Sequence, residues 1–115
     1  MEAMVRSRFQ RYGARKVNQA LGQIRGKSLW NAYQILPQVP RISAVMILKA
    51  VKSAQANLNV KAGKALDPKR VFITSAWAGL GPMGQLKRVK PAPQGRAMTF
   101  RRKMCHLTIV VSEGA

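Results

Sequence analysis

Residues 83–103, with the sequence MGQLKRVKPAPQGRAMTFRRK, decide the fold of this chain. Seven of them are basic and none is acidic, and the cluster from Pro91 to Gly95 marks a turn near the middle. Strand-like runs flank the stretch, since Val71 to Trp77 alternates with a period of two and Cys105 to Ser112 is rich in β-branched residues. If 71–90 and 96–112 pair across the turn, about 9 residues of each arm lie beyond the body and reach about 30 Å, at about 3.3 Å per residue. Such a ribbon is marginal in water and repels itself when positively charged, so the pattern predicts a protruding hairpin that a polyanion surrounds.

Helical signals fill the chain before the hairpin. An apolar stripe at helical spacing predicts a first helix over 14–25, and Gly26 suits the position just past its end. Ser28 is a candidate N-cap for a short second helix, and a longer stripe predicts a third helix over 41–58. A short additional strand is predicted at Arg8 to Tyr12. The sequence therefore combines three helices with a small set of strands.

Composition excludes several classes of protein. The 115 residues include 21 Lys plus Arg and only 3 Asp plus Glu, and 47% are hydrophobic, which is enough for one folded domain. The acids Glu2, Asp67 and Glu113 are too few and too scattered for paired-carboxylate catalysis. Cys105 and His106 are the only residues of their types, so they complete neither a zinc site nor an internal disulfide. As neighbours on a predicted strand they point to opposite faces, so they are badly placed to act as nucleophile and base. The sequence therefore predicts no catalytic residue, no metal and no cofactor.

The formal net charge of +18 points instead to RNA. Solubility needs a net charge of only about 2–8 on a small domain, and a phosphate backbone is the natural counter-charge for the excess. The longest charge-free run, 71–86, is broken by glycines and a proline, and the best helix carries few charges, so membrane binding is not expected. A DNA reader usually presents a basic recognition helix, whereas an extended basic arm suits a folded RNA. Trp30, Tyr33 and Trp77 have the chemistry to stack on bases, but their helical or strand spacing favours positions in the core.

Several motifs, taken in order, resemble a known family. They are Arg15-Lys16, Ile24-Arg-Gly-Lys-Ser28, Leu48-Lys-Ala-Val-Lys-Ser-Ala-Gln-Ala-Asn57, Val71-Phe-Ile-Thr-Ser-Ala-Trp77, Gly81-Pro82, Lys87-Arg88, Gly95-Arg-Ala97 and His106-Leu-Thr-Ile-Val-Val-Ser-Glu113. With this order and spacing, the chain from about Tyr12 to Glu113 resembles the bacterial-type large-subunit ribosomal proteins L twenty-two. The resemblance implies an α+β fold, with three helices packed on a small three-stranded antiparallel sheet and a long protruding β-hairpin. It implies a single rRNA-binding domain over 1–115, with a body at about 8–82 and 104–113 and an extended hairpin at about 83–103.

The resemblance also implies a function and a location. The chain would be a non-enzymatic structural constituent of the large ribosomal subunit, present in one copy per ribosome, that binds large-subunit rRNA and supports assembly. Its other partners would be neighbouring ribosomal proteins and, at the hairpin tip, the nascent peptide in the exit tunnel, where members of the family also influence macrolide binding. The ribosome would be that of a bacterial cytoplasm or of an organelle, plastid or mitochondrion.

Two groups of residues carry these expectations. The residues expected to bind rRNA are Arg8, Arg11, Arg15, Lys16, Arg25, Lys27, Lys52, Lys87, Arg88, Lys90, Arg96, Arg101, Arg102, Lys103 and His106. The residues expected at the tunnel tip are Pro91, Ala92, Pro93, Gln94, Gly95, Arg96, Ala97 and Met98. A free basic RNA-binding chaperone or regulator, not tied to one particle, is the alternative that the charge alone leaves open.

The chain departs from the family pattern at four places. Gly13-Ala14 replaces Ser-Pro before the first Arg-Lys, which predicts a weaker helix cap. Gly79-Leu80 replaces an acidic pair, which removes negative charge facing RNA. Met83 to Leu86 makes the arm about two residues longer, and Ala92-Pro93 stands where Arg-Ala is frequent at the tip. These differences point to a divergent ribosome.

Overall fold

The computed structural model describes residues 2–81, 87–101 and 103–114. Its helices are α1 (Ala14–Leu21), α2 (Leu29–Ile35) and α3 (Ala44–Ala62), and its strands are β1 (Glu2–Gln10), β2 (Val71–Leu80), β3 (Lys87–Pro91), β4 (Ala97–Arg101) and β5 (Cys105–Glu113). Short 3-10 turns lie at Leu36–Gln38, Pro68–Arg70 and Pro93–Gly95. Strands β1, β5 and β2 form an antiparallel sheet in that order, and β3 pairs with β4 in a two-stranded ribbon. The predicted α+β fold of three helices, a three-stranded sheet and a hairpin is confirmed.

The core lies between the helices and one face of the sheet. Ile73 of β2 and Ile109 of β5 are fully buried and belong to one cluster with Leu21, Ile47 and Leu58 of the helices. Because side chains alternate along a strand, the other residues of each strand lie on the outer face. An antiparallel sheet commonly packs one face on the core and exposes the other. The outward residues of β2 are exposed in this way, whereas those of the central strand β5 are half-buried and Thr108 is buried.

Two helices have bounds that differ from their predictions. Helix α1 ends at Leu21 instead of residue 25, and the chain continues through a turn to Gly26, which has φ +75° and donates its N–H to the carbonyl of Ile73, 2.9 Å away. Ile24 is nevertheless buried, so the apolar stripe continues through a turn that pairs with the sheet. Helix α3 covers 44–62 instead of 41–58 and ends where Gly63, at φ +72°, takes the left-handed cap conformation.

The predicted starts of the first two helices are confirmed, whereas α3 begins at Ala44 instead of residue 41. The Ser28 hydroxyl accepts a hydrogen bond from the Asn31 N–H at 3.3 Å, which caps α2. Gly13 precedes α1 and supplies no side-chain hydrogen bond, so that cap is the weaker one, as the departure from Ser-Pro predicts.

The first strand lies earlier than predicted. This additional strand is present as predicted, but its bounds of Arg8 to Tyr12 were wrong, since β1 spans Glu2–Gln10. It pairs with β5 from Glu2 opposite Ser112 to Ser7 opposite Leu107. Its inward positions include small residues, Ala3 among them, so the hydrophobic alternation is weak in the sequence. Beyond Gln10 the chain turns back, because the Tyr12 N–H bonds to the Gln10 carbonyl at 2.9 Å.

Side chains from the helices hydrogen-bond to backbone groups on both edges of the sheet. On the β2 edge, the Asn18 amide brackets the backbone of Ala78: Nδ2 donates to the Ala78 carbonyl and Oδ1 accepts from the Ala78 N–H, both at 3.0 Å. On the β1 edge, Asn57 Nδ2 donates to the Met4 carbonyl at 3.4 Å and Lys61 Nζ donates to the Glu2 carbonyl at 2.8 Å. Edge strands left open can pair with other chains, and these contacts cover part of each edge.

The hairpin extends the pairing of β2 and β5 away from the body. Gly81 donates its N–H to the Met104 carbonyl at 3.0 Å, and the ribbon then pairs Lys87 with Arg101 and ends with Pro91 opposite Ala97. The molecule measures 63 × 25 × 16 Å with a radius of gyration of 17.3 Å. A compact domain of this length has a radius of gyration of about 13 Å, so the predicted protrusion is confirmed.

The two arms are unequal in length. Residues 82–86 separate Gly81 from Lys87, whereas only 102–103 separate Arg101 from Met104. The lengthening expected at Met83 to Leu86 lies outside the described residues, but it falls in the longer of these two intervals.

Candidate nucleic-acid interface

The predicted tip is a tight, exposed turn. The Ala92 N–H donates to the Arg96 carbonyl at 2.8 Å, and between them Gln94 (φ +63°) and Gly95 (φ +69°) both adopt left-handed backbone. A Cβ added at Gly95 would meet nothing within 4 Å, so only the backbone angle favours glycine there. Pro91, Pro93, Gln94, Gly95, Arg96, Ala97 and Met98 are exposed, and Ala92 is half-buried. The whole predicted tip is therefore open to contact.

The ribbon carries most of the hairpin's predicted RNA contacts. Its register makes Lys87 the partner of Arg101, Arg88 the partner of Phe100 and Lys90 the partner of Met98. Lys90 is exposed, and Arg102 lies outside the described residues.

A second basic group lies where the hairpin joins the body. The Lys103 side chain reaches α1, with its Cδ 3.9 Å from where a Cβ on Gly13 would lie. Arg11, Arg15 and Lys16, all exposed, are within three residues of Gly13 along the chain. The start of α1 and the hairpin base thus form one junction, which we call the basic junction: Arg11, Arg15, Lys16 and Lys103.

Arg25 has a structural role that sequence reasoning missed. Its Nε donates to the Ala76 carbonyl at 2.8 Å, and its Nη2 donates to Asn18 Oδ1 at 3.2 Å. The planar guanidinium suits this forked arrangement better than a lysine would. The backbone carbonyl of Lys27 accepts a hydrogen bond from the Ile73 N–H at 3.0 Å. The side chains of Lys27 and of Lys52, on α3, are exposed. Arg25 therefore stabilises the edge of β2 from an exposed position.

Cys105 and His106 lie on opposite faces of β5, as predicted. Burial raises the pKa of the Cys105 thiol, and a backbone hydrogen bond involving Tyr12 opposes part of the rise. His106 is half-buried on the outer face, where its Nδ1 accepts the Phe9 N–H at 3.0 Å. The two side chains form no nucleophile–base pair. Among the described residues, no group of acidic, His and Cys side chains could hold a metal ion, and no helix is long and apolar enough to cross a membrane.

Two of the three aromatic residues expected in the core are on the surface. Trp30 is 42% exposed and carries Lys69 Nζ at 5.2 Å from its ring centroid, while Trp77 is 48% exposed. A register shift between Ile73 and Ser75 reverses the alternation of β2, so Trp77 points away from the side that Ile73 occupies. Tyr33 is half-buried, its hydroxyl donates to Gln55 Oε1, and burial raises its pKa.

Comparison with known proteins decides the family. Residues 5–112 match the sequence pattern described as ribosomal protein L22p/L17e. The chain belongs to the L22p/L17e family. Large ribosomal subunit protein uL22 of Endomicrobium trichonymphae is 40% identical over 115 residues, covering 100% of this chain and 95% of the relative. The chain is also similar to the uL22 protein of Clostridium tetani, with 41% identity over 113 residues, which cover 98% of each chain. It is similar to the uL22 protein of Nostoc punctiforme as well, with 44% identity over 105 residues, which cover 91% of this chain and 86% of the relative.

Membership of the L22p/L17e family confirms the resemblance and the expectation that the chain is not an enzyme. The relatives come from bacteria, cyanobacteria among them, and they are named as components of the large ribosomal subunit.

Proposed function

We propose that this chain is a structural constituent of the large ribosomal subunit that binds large-subunit rRNA, supports assembly and lines the peptide exit tunnel with its hairpin tip. The whole chain acts as one RNA-binding domain, with the hairpin as its extension. The names of its relatives support the ribosomal location. The observation that carries the RNA contact is the basic ribbon of β3 and β4, which extends a molecule 63 Å long.

The mechanism is electrostatic. Three acids cannot neutralise 21 Lys and Arg residues, so a formal charge of +18 needs an external partner. Closely packed RNA phosphates supply it, and their binding releases counterions, which drives association. Such contacts position the protein on the RNA without reading its sequence.

The body and the hairpin divide the work. The basic junction holds the base of the hairpin against rRNA at the surface of the body, and the ribbon carries Lys87, Lys90 and Arg101 inward between RNA segments. The tip turn, with Gln94 and Gly95 in left-handed backbone, has one side free to face the nascent peptide. Neighbouring ribosomal proteins contact the remaining surface of the body.

The test compares charge on the ribbon with charge elsewhere. The double variant Arg101→Glu, Arg102→Glu should deplete mature large subunits, because each change replaces attraction to a phosphate by repulsion. The control Lys64→Glu, Arg70→Glu makes the same change of charge at exposed residues outside the proposed site and should assemble normally. Gly95→Trp should leave subunits assembled but change nascent-chain stalling or macrolide sensitivity.

Sedimentation of cell extract, with detection of the chain across the gradient, reads out each variant. The wild-type chain should co-sediment with the large subunit at one copy and resist moderate salt. A chain spread over many RNAs and removed by moderate salt would identify a free chaperone or regulator and overturn the proposal. Normal assembly of the ribbon variant together with failure of Gly95→Trp would show that tip and arms are wrongly assigned.

A further inference from the structure

A shallow pocket lies on the outer face of the three-stranded sheet, opposite the helices. Its volume is about 340 Å³, and its lining residues are Arg6, Arg8, Phe9, Trp77, His106 and Thr108. We call it the sheet-face pocket. All of these residues come from β1, β2 and β5, so the strand register fixes their arrangement.

The register explains why these side chains meet. Thr108 of the central strand pairs with Arg6 on one side and with Trp77 on the other, so the three lie in one row across the sheet. His106 is two residues along β5 and therefore on the same face. The Phe9 and His106 rings pack edge to face, with centroids 5.0 Å apart and planes at 86°. The pocket thus has aromatic rings near both edges of the sheet.

A bulge in β1 contributes one of these rings. The pairing of β1 with β5 shifts register between Ser7 and Gln10, and Phe9 has φ +57°, which is unusual for a bulky residue. The Phe9 N–H donates to His106 Nδ1 at 3.0 Å, so in the neutral ring the other nitrogen, Nε2, carries the proton. Bulges often re-aim a side chain beside a binding site, and strained backbone is frequent at such sites.

The aromatic surface of this pocket faces water in the free chain. Phe9 is 59% exposed and Trp77 is 48% exposed. Trp30, the other tryptophan, already has Lys69 above its ring, whereas the rim of the pocket carries Arg6 and Arg8 as exposed cations. A ligand that combines a flat ring with negative charge matches this surface.

We propose that the sheet-face pocket binds one unpaired RNA nucleotide, with its base stacked on Trp77 and its phosphate paired with Arg6 and Arg8. This inference rests on the proposed function, because it names a further site on the same RNA. Unpaired bases stack on exposed aromatic rings, and bases inside a helix do not offer their faces. The volume is at the lower end of the range for ligand pockets, about 300–1,000 Å³, which suits one nucleotide. An apolar protein partner would instead bury two guanidinium groups without a counter-charge.

The experiment uses the full chain and a single-stranded oligoadenylate of 12 nucleotides with a central 2-aminopurine, whose fluorescence falls when it stacks. Trp77→Ala should weaken binding about 5- to 150-fold, the range for loss of one base–aromatic stack, and abolish the fluorescence change. Trp77→Phe should retain most of both, since an aromatic face remains. Trp30→Ala, the matched control, should change neither.

A second pair of variants tests the pocket without removing an aromatic ring. Gly79 pairs with His106 beside the pocket, and a Cβ there would meet nothing within 4 Å. Gly79→Glu should weaken binding through repulsion of the phosphate, whereas Gly79→Gln, equal in size, should bind as the wild type does. Thermal unfolding of each variant verifies that it is folded.

The outcomes separate this inference from the proposed function. If Trp77→Ala and Gly79→Glu bind as tightly as their controls while binding remains steeply salt-dependent, the pocket assignment is wrong and the electrostatic function stands. If Trp77→Ala leaves RNA binding unchanged and instead releases a neighbouring protein from purified subunits, the occupant is a protein and the inference is overturned. If the wild-type chain binds no RNA even at low salt, the proposed function fails as well.

Discussion

Replacing Asn18 tests how the body is attached to the base of the hairpin. Its amide makes two hydrogen bonds of 3.0 Å to the backbone of Ala78, and it also accepts one of 3.2 Å from Arg25. Each bond contributes a net of about 0.5–1.5 kcal/mol, so Asn18→Ala loses about 1–3 kcal/mol from the pair on Ala78. The higher helix propensity of alanine offsets about 0.5 kcal/mol of this loss of unfolding free energy. The expected net loss of unfolding free energy is therefore about 1.5 kcal/mol.

A loss of that size should lower the Tm by about 6–12 °C, since 1 kcal/mol shifts the Tm of a domain near this length by about 4–8 °C. Differential scanning calorimetry of the free protein measures it. Asn31→Ala is the matched control, because Asn31 is an exposed residue inside helix α2 and gains the same propensity. An equal Tm for the two variants would refute the idea that Asn18 stabilises the edge of β2.

Two further predictions concern the free chain. In hydrogen exchange, amides of 87–101 should exchange much faster than those of Ile47 to Leu58 and 105–112. The reason is that the ribbon pairs only two strands and carries repelling charge, whereas α3 and β5 lie in the core. Strong protection of the Lys90 amide without RNA would contradict this prediction. Cys105 should react slowly with iodoacetamide at neutral pH, because burial raises the pKa of its thiol and lowers the thiolate fraction. Its reaction should accelerate only at a higher pH than the reaction of an exposed cysteine. Fast labelling of the folded chain would contradict this and show that the thiol is accessible.

The sequence predicts the frame of this fold because its strongest signals are periodic. The stripe on α3 and the β-branched run of β5 each identify an element, and the Pro–Gly cluster identifies the turn between β3 and β4. The edge strand β1 is harder to locate, because Ala3 and Ser7 on its inner side are too small to give a clear alternation.

The sheet-face pocket is the part that the sequence hides. Strict alternation from Val71 and Ile73 predicts an inward Trp77. A bulge in β2 reverses the alternation, and nothing in the local composition predicts that bulge. The displaced Phe9 depends on a second bulge, in β1. The sequence also does not show which partners a charged side chain has in the fold. Arg25, predicted to bind RNA, hydrogen-bonds to Asn18 and to the distant Ala76 and so stabilises the edge of β2.

The salt dependence of RNA binding tests the central claim most directly. Affinity of the full chain for large-subunit rRNA, measured by filter binding over a range of KCl concentrations, should fall steeply. If about 8 phosphates are neutralised, log affinity against log salt should have a slope of about −6 to −7, and the Arg101→Glu, Arg102→Glu variant should have a slope shallower by about 1 for each phosphate that it leaves unneutralised. A slope near zero, or one that the ribbon variant leaves unchanged, would contradict an electrostatic contact made by the hairpin.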